Sequence, residues 1–117
     1  MLPLADPAAY VARYAEPDKA RTGLGEGTDA WPTPYWTVDT AFAAMSMLLA
    51  AEDEGLGALF FGIFRGREEL LDTLGVPADL EPIGTLALGH RRGDDRPGRS
   101  AGRGRPSLAE YAHRGGW

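Results

Sequence analysis

The longest regular segment of the sequence reads YWTVDTAFAAMSMLLAAEDE and spans residues 35–54. The Thr-Pro pair at 33–34 is a helix-start signature, and Gly55 is a typical helix stop. At 1.5 Å per residue, the predicted helix is about 30 Å long. Residues 41–51 are apolar on every face apart from Ser46, a pattern typical of a helix enclosed by protein on all sides. A bilayer span needs about 20 such residues. We therefore interpret the segment as a core helix and expect no membrane partner.

Shorter predicted elements surround this helix. Asp6 followed by Pro7 is a favourable N-cap and first-turn pair, and it predicts a helix that runs to about Tyr14. Residues 59–64 read LFFGIF and predict a buried strand, in which Gly62 indicates a bulge or a close backbone approach. The remaining predicted elements are a loop at 15–33, a helix at 67–74, a strand at 80–88, a loop at 90–106, and either a capping box or an extended piece from 107 onward. This mixture of helices and strands predicts an α+β fold.

The sequence opens on a short apolar piece, MLPL at residues 1–4, which resembles the end of a strand. No earlier strand is available to pair with it. Such an opening suggests a truncated product or a late start site.

Length and composition restrict the classes of protein that the sequence can encode. The 117 residues allow about one small domain. The sequence contains no Cys, which excludes disulfides, thiolate chemistry and Cys-based zinc sites. The opening residues lack the basic region and the long apolar stretch of a signal peptide, and we expect a cytoplasmic protein.

The charge is divided unevenly along the chain. Residues 90–117 carry seven Arg against three acidic residues, a net charge of +4. Residues 1–89 carry five basic and fourteen acidic residues, a net charge of −9. The basic tail at 90–117 therefore needs an explanation separate from that of the acidic body.

Several kinds of site are not supported by the residue spacing. His90 and His113 are the only histidines and lie far apart, so we predict no metal site. No serine lies in a GxSxG motif, and we predict no catalytic side chain. Residues 23–27 read GLGEG, but neither a strand before them nor a following Lys-Ser/Thr pair supports a phosphate loop, so a flexible connector is favoured.

Arg103 and Arg105 lie two residues apart beside a glycine. In an extended segment such side chains share one side, and two guanidinium groups on one side can bind one phosphate. The residues by themselves leave two other interpretations open, a solvated basic tail and a polyanion-binding tail. Nucleic-acid binding is disfavoured by the acidic balance of the whole chain.

Taken together, several segments of the sequence resemble the nitroreductase family of flavoproteins. Their order and spacing agree over nearly the whole chain. The segments are YWTVDTAFAAM at 35–45, LAAEDEGLG at 49–57, LFFGIF at 59–64, GVP at 75–77, PIGTLALG at 82–89, RGRP at 103–106 and HRGGW at 113–117.

This resemblance implies an α+β homodimer that binds FMN at the dimer interface. It implies that NAD(P)H reduces the flavin, which then reduces a nitro compound, a quinone or a similar small-molecule acceptor. The flavin supplies the redox chemistry and the protein positions it. By resemblance, Phe61, Gly62 and Ile63 approach the flavin ring near N5, with a backbone N–H as donor. Arg103 and Arg105 match the basic residues that family members place on the FMN phosphate.

The sequence also departs from the family pattern. Family members begin with an Arg-rich segment on an N-terminal helix, which supplies further flavin contacts, and the present sequence has no counterpart of it. We therefore interpret residues 1–117 as the C-terminal portion of a nitroreductase-like domain, a partial fold with its N-terminal half missing. The alternative is a non-catalytic remnant or interaction subunit that folds only with a partner. The electron acceptor, the choice of NADH or NADPH, and the choice of FMN or a deazaflavin are left open.

Overall fold

A computed structural model describes residues 1–94, 96 and 98–116. The mixed α+β architecture that we predicted is confirmed within this part of the chain. Its elements are β1 (Leu4–Ala5), α1 (Pro7–Tyr14), α2 (Tyr35–Asp53), β2 (Gly57–Phe61), α3 (Arg67–Thr73), β3 (Glu81–Pro82), β4 (Thr85–Gly89) and α4 (Leu108–Tyr111). Three short 3-10 turns, Ala20–Thr22, Leu24–Glu26 and Thr28–Ala30, occupy the predicted loop after α1.

The helices begin and end close to their predicted positions. Asp6 caps α1 through a 2.9 Å hydrogen bond that its carboxylate accepts from the backbone N–H of Ala9. The start of α2 differs from the prediction, because Pro34 occupies the N-cap position and no side chain caps the helix. In α4, the capping box between Ser107 and Glu110 is formed. The Ser107 contacts lower the pKa of the Glu110 carboxyl group.

The strands differ more from their predictions. β2 and β4 pair antiparallel, from Gly57 opposite Gly89 to Phe61 opposite Thr85. β2 therefore begins and ends earlier than the predicted strand, and Gly62 lies just beyond its end. The predicted strand at 80–88 is divided into β3 and β4 at Gly84. The part before Gly84 pairs with β1, and the part after it pairs with β2.

The N-terminal segment has a partner within the chain, a strand that follows it in sequence rather than one that precedes it. β1 pairs antiparallel with β3, with Leu4 opposite Pro82. Further along, the Met1 amino group donates to the Leu86 carbonyl oxygen at 2.9 Å, and the Leu86 N–H donates to the Met1 carbonyl oxygen at 2.9 Å. These pairings differ by one residue in register, which is the geometry of a β-bulge around Gly84. Neighbouring chain thus lies on both edges of β4 at Leu86.

The core is a cluster of aromatic side chains. Trp31 and Trp36 are buried and pack edge to face, with ring centroids 5.8 Å apart. Tyr10 packs edge to face against both indole rings, and Tyr14 packs against Trp31. Both indole N–H groups have acceptors: Trp31 donates to the Leu24 carbonyl oxygen at 2.9 Å, and Trp36 donates to the Glu81 carboxylate at 3.2 Å. The cluster joins α1, the turn region, the start of α2 and β3.

The rest of α2 has little protein around it. Its buried residues are Trp36, Ala44 and Ala51, whereas apolar side chains such as Phe42 (67% exposed) and Leu49 (65% exposed) face solvent. The sequence predicts a helix enclosed by protein on every side, and the described chain by itself covers one stripe of it. The accessible surface of 9517 Å² is also well above the roughly 6,200 Å² expected for a compact monomer of this mass.

The turn region packs tightly against the end of α1. Arg13 forms two hydrogen bonds with the Asp18 carboxylate, at 2.8 and 2.7 Å, and this contact lowers the pKa of Asp18. Nearby, a Cβ atom at Gly25 would lie 2.5 Å from the backbone N and Cα of Ala15. The turn can therefore approach the helix only because residue 25 has no side chain.

We expect Gly25→Ala to destabilise the fold by about 1–3 kcal/mol, because a side chain at this position must push α1 and the turn apart. The free energy of unfolding, measured by urea titration followed by Trp fluorescence, tests this. Gly102→Ala is the matched control, since nothing lies within 4 Å of a Cβ at that position. Equal stabilities for the two variants would contradict the close approach.

Tyr10 links α1 to α2 through the hydrogen bond that its hydroxyl group donates to the Asp39 carboxylate. This bond, followed by burial, raises the pKa of Tyr10 from 10.0 to about 12. The folded state therefore holds the phenol proton more tightly than the unfolded state does. The resulting stabilisation is complete below pH 10 and is lost as the pH rises towards 12.

We expect Tyr10→Phe to cost about 0.5–1.5 kcal/mol at neutral pH. We also expect the difference from the unmodified chain to shrink between pH 10 and 12. Urea unfolding followed by circular dichroism over this pH range gives the difference. Tyr111→Phe is the control, because Tyr111 is exposed and lies outside the aromatic cluster. A pH-independent difference would show that the Asp39 contact contributes nothing.

Candidate functional site

The predicted flavin-ring residues follow one another at the end of β2. Phe61 is the last residue of the strand, and its side chain is 44% exposed. Gly62 and Ile63 come next in an irregular segment and are half-buried. The structure thus places these predicted residues together at a strand end rather than within a strand.

The hydrogen-bond pattern of β4 determines which way the backbone of β2 faces. Leu86 uses its N–H and carbonyl groups on Met1, so those groups point away from β2. In an antiparallel pair the backbone direction alternates with each residue. Thr85 and Ala87 therefore face β2, and they pair there with Phe61 and Leu59. The backbone groups of Phe60 consequently face the outer edge of β2.

The Gly62 N–H has no acceptor among the residues that the structure describes. Gly62 directly follows the last residue of β2, and no further strand pairs with the outer edge of β2 within the described residues. A backbone donor at an exposed strand edge is available to a ligand or to a further strand. The role of a backbone N–H near residues 61–63 stays a prediction.

Two glycines near this strand end are approached closely by neighbouring groups. A Cβ at Gly84 would lie 2.4 Å from the Phe60 ring and 2.9 Å from the Phe61 carbonyl oxygen. A Cβ at Gly62 would lie 2.6 Å from the ring of Phe64, whose side chain is 93% exposed. The neighbour of Gly84 includes fixed backbone, whereas the neighbour of Gly62 is a side chain that can rotate away.

The predicted phosphate-binding pair lies in the basic tail. Arg103 and Arg105 are exposed, and the Arg103 N–H closes a turn on the Ser100 carbonyl oxygen at 3.0 Å. Within the described residues, no hydrogen bond or ion pair joins either guanidinium group to residues 61–63. The two arginines thus remain predicted phosphate ligands that the chain does not itself bring against the end of β2.

A basic groove that the sequence analysis did not identify lies at the opposite end of the β2–β4 pair. Its volume is about 680 Å³, and the residues that line it are Gly57, Ala58, Leu59, Ala87, Leu88, Gly89, His90, Arg91, Arg92 and Arg96. Arg91 is held by an ion pair with Glu52 near the end of α2. The signal that could have revealed the groove is the His-Arg-Arg run directly after β4.

The described part of the chain holds no group of three His, Cys, Asp or Glu side chains placed to bind a metal ion. A search of the described helices for one that is both long and apolar enough to cross a bilayer found none.

The described residues thus define an α+β protein whose candidate binding surfaces are an exposed strand edge and a basic groove on one small sheet. The sequence matches the family model described as the nitroreductase family over residues 7–90. Because this match covers well over half of the 117 residues, the chain belongs to the nitroreductase family. A comparison with curated proteins found no matching sequence.

Family membership suggests a flavin-dependent oxidoreductase. The matched range contains Phe61, Gly62 and Ile63 but ends before Arg103 and Arg105. The family match therefore includes the predicted flavin-ring residues and does not include the predicted phosphate-binding arginines.

The contrast between Gly84 and Gly62 gives a test of the local geometry. We expect Gly84→Ala to destabilise the chain by about 1–3 kcal/mol, because the Phe61 carbonyl oxygen cannot move without disturbing β2. We expect Gly62→Ala to stay within about 0.5 kcal/mol of the unmodified chain, because the Phe64 ring can rotate into solvent. Urea unfolding of both variants measures the difference. Similar losses for both would contradict the described arrangement.

Proposed function

We propose that this protein is an FMN-dependent NAD(P)H oxidoreductase of the nitroreductase type, which passes electrons to nitro compounds, quinones or similar acceptors. The observation that carries the proposal is the family match over residues 7–90. Residues 1–117 would correspond to the C-terminal portion of a nitroreductase-like domain, with a basic tail at 90–117.

The geometry at the end of β2 supports a flavin ring near Gly62. The Gly62 N–H has no acceptor among the described residues, and once the Phe64 ring rotates away, the absence of a side chain lets a flat ring approach the backbone closely. The half-exposed Phe61 side chain next to it offers apolar surface. An available donor beside apolar surface fits a ring that has both an acceptor nitrogen and hydrophobic faces.

The basic tail can supply the contacts for the phosphate. Arg103 and Arg105 are exposed and lie on a segment without regular structure between residues 102 and 106, so their side chains can converge on one ligand. Guanidinium groups match phosphate oxygens with paired hydrogen bonds. Residues at the end of β2 and in the tail thus fit the chemistry of FMN.

The exposed surface of α2 supports a site that is completed by a second copy of the chain. Side chains such as Phe42, Met45 and Leu49 face solvent. The accessible area of one chain exceeds that of a compact monomer by on the order of 3,000 Å², an area large enough to supply one side of an extensive obligate interface. A homodimer would cover this helix.

When bound, FMN supplies the ring that accepts a hydride from NAD(P)H and passes electrons to the acceptor. The protein residues then have three tasks. Gly62 donates its N–H to the ring, which fixes the ring's orientation. Arg103 and Arg105 bind the phosphate. Phe61 excludes water from one side of the ring.

The experiment is reconstitution of the full chain with FMN, read by quenching of flavin fluorescence and by oxidation of NADH or NADPH. We expect FMN to bind, and Arg103→Gln combined with Arg105→Gln to weaken it about tenfold or more, because each lost charged hydrogen bond costs roughly 1.5–3 kcal/mol. Arg65→Gln combined with Arg67→Gln is the matched control, since these arginines have the same spacing but lie outside the proposed phosphate site.

Three outcomes would count against this proposal. A chain that binds no FMN and oxidises no NAD(P)H would contradict the oxidoreductase. Equal FMN affinity in the two double variants would contradict the role of Arg103 and Arg105. Tight FMN binding by a chain that stays monomeric at high concentration would contradict the dimeric site.

The exposed surface of α2 also favours a second candidate function, a non-catalytic subunit that folds only with a partner. The radius of gyration is 18.8 Å, against about 13 Å for a compact chain of this length. Hydrogen exchange on the isolated chain distinguishes the candidates. Strong protection of residues 41–51 in a monomer would contradict the partner-dependent subunit, whereas protection that appears only on addition of a partner protein would support it.

A further inference from the structure

The basic groove at the Gly57–Gly89 end of the β2–β4 pair has no role in the function proposed above. It is distinct in position from the flavin-ring residues, because Gly62 lies beyond the other end of β2. With a rise of about 3.4 Å per residue, the two ends of the strand pair are separated by roughly 14 Å. The groove therefore needs an explanation of its own.

One arginine of the groove is held in place by its neighbours. The side chain of Arg91 passes across the backbone of Gly57, where a Cβ would lie 3.2 Å from Arg91 Cγ. Its guanidinium group ends in the ion pair with Glu52. Arg91 thus forms a fixed wall of the groove, and its positive charge is partly neutralised by Glu52.

The other arginines of the groove are freer to bind a ligand. Arg92 makes one long contact with Asp94, at 3.4 Å, and both side chains are largely exposed. Arg96 has no ion pair with any residue that the structure describes. Counting only contacts among the described residues, two guanidinium groups with unused donors therefore line one cavity.

The floor of the groove beside these arginines is apolar and flat. Leu59 and Ala87 are opposite each other on the outward face of the sheet, and Leu59 is 60% exposed. The inward face, by contrast, carries Leu86, which is buried at 1% exposure. An exposed apolar strip bordered by unused positive charges is an arrangement that fits a planar ring attached to a phosphate.

We propose that this groove binds the phosphate end of a nucleotide. Arg92 and Arg96 hold the phosphate oxygens, Arg91 forms the wall, and a planar ring lies on Leu59 and Ala87. The volume of about 680 Å³ is within the range of small-molecule sites, roughly 300–1,000 Å³. The assignment of a nucleotide from the redox reaction rests on the proposed function, whereas phosphate binding by the groove does not.

Two nucleotides in that reaction carry this chemistry, FMN and the pyridine dinucleotide. RNA would also present phosphates, but the chain is acidic overall and the groove belongs to a single small cavity, which favours a small ligand. The test must therefore separate the contribution of the phosphate to binding from that of the planar ring. It must also show which of the two nucleotides binds.

The experiment measures the binding of pyrophosphate and ADP to the full, flavin-free chain by isothermal titration calorimetry. We expect both to bind, and Arg92→Gln combined with Arg96→Gln to weaken both about tenfold or more. Arg65→Gln combined with Arg67→Gln is the matched control and should leave both affinities unchanged, since neither residue lines the groove. Leu59→Ser should weaken ADP several-fold and leave pyrophosphate unaffected, since the serine removes apolar contact with the ring alone.

Competition then identifies the source of the nucleotide. Displacement of ADP by FMN would assign the flavin phosphate to the groove in place of Arg103 and Arg105, and displacement by NADH or NADPH without FMN would assign the groove to the dinucleotide. Either result supports the proposal that the groove binds the phosphate end of a nucleotide.

The inference is overturned if neither pyrophosphate nor ADP binds, if the Arg92/Arg96 and Arg65/Arg67 variants lose affinity equally, or if a single-stranded RNA binds while both small probes fail. Failure of the proposed function has a different signature. The chain would then take up no FMN and oxidise no NAD(P)H, while pyrophosphate binding and its loss in the Arg92/Arg96 variant would persist.

Discussion

The packing of Trp36 against Trp31 is the contact on which the rest of the structure depends. Trp36 lies in the first turn of α2 and Trp31 lies at the end of the turn region, so their edge-to-face contact sets the angle at which the long helix begins. Trp36 also donates a hydrogen bond to Glu81, which places β3 beside the helix. β3 in turn pairs with β1, and the chain continues from it into β4. Aromatic side chains suit this task because each buries a large apolar area and still offers a polar group for orientation.

Beyond this cluster, the fold is limited by how much apolar surface the chain can cover. α2 is apolar over most of its second half, yet the described chain lies against one stripe of it. A two-stranded sheet such as β2–β4 is by itself marginal in water, and it gains from the helix on its inner face. The exposed helix surface and the open edge of β2 are therefore related. Both are regions where further protein or a ligand would add stability that the chain does not provide alone.

Local signals predicted the helices well and the sheets poorly. The start of α1 was predictable because the Asp6 carboxylate and Pro7 both act on the first turn of that helix. The end of α2 was predictable because Gly55 readily adopts the left-handed backbone conformation that terminates a helix. The bounds of β2 were displaced because a run of apolar residues does not show which of them will pair. That is determined by the register with β4, whose residues lie far along the chain. The pairing of residues 1–5 with 81–86 was missed for the same reason.

For the candidate site, the sequence by itself determined the family pattern, the aromatic and glycine residues at 61–63, and the separation of an acidic body from a basic tail. Tertiary structure alone decided which way the backbone groups of Phe60 face, because that depends on the hydrogen bonds between Leu86 and Met1. It also decided that Arg91 turns towards Glu52 and encloses a groove, since that ion pair joins residues 39 positions apart. The charge, polarity and hydrogen-bonding groups of a residue follow from its type and can be predicted from the sequence. The direction in which a backbone group points and the shape of a groove depend on contacts between distant parts of the chain, and these contacts exist only after the chain has folded.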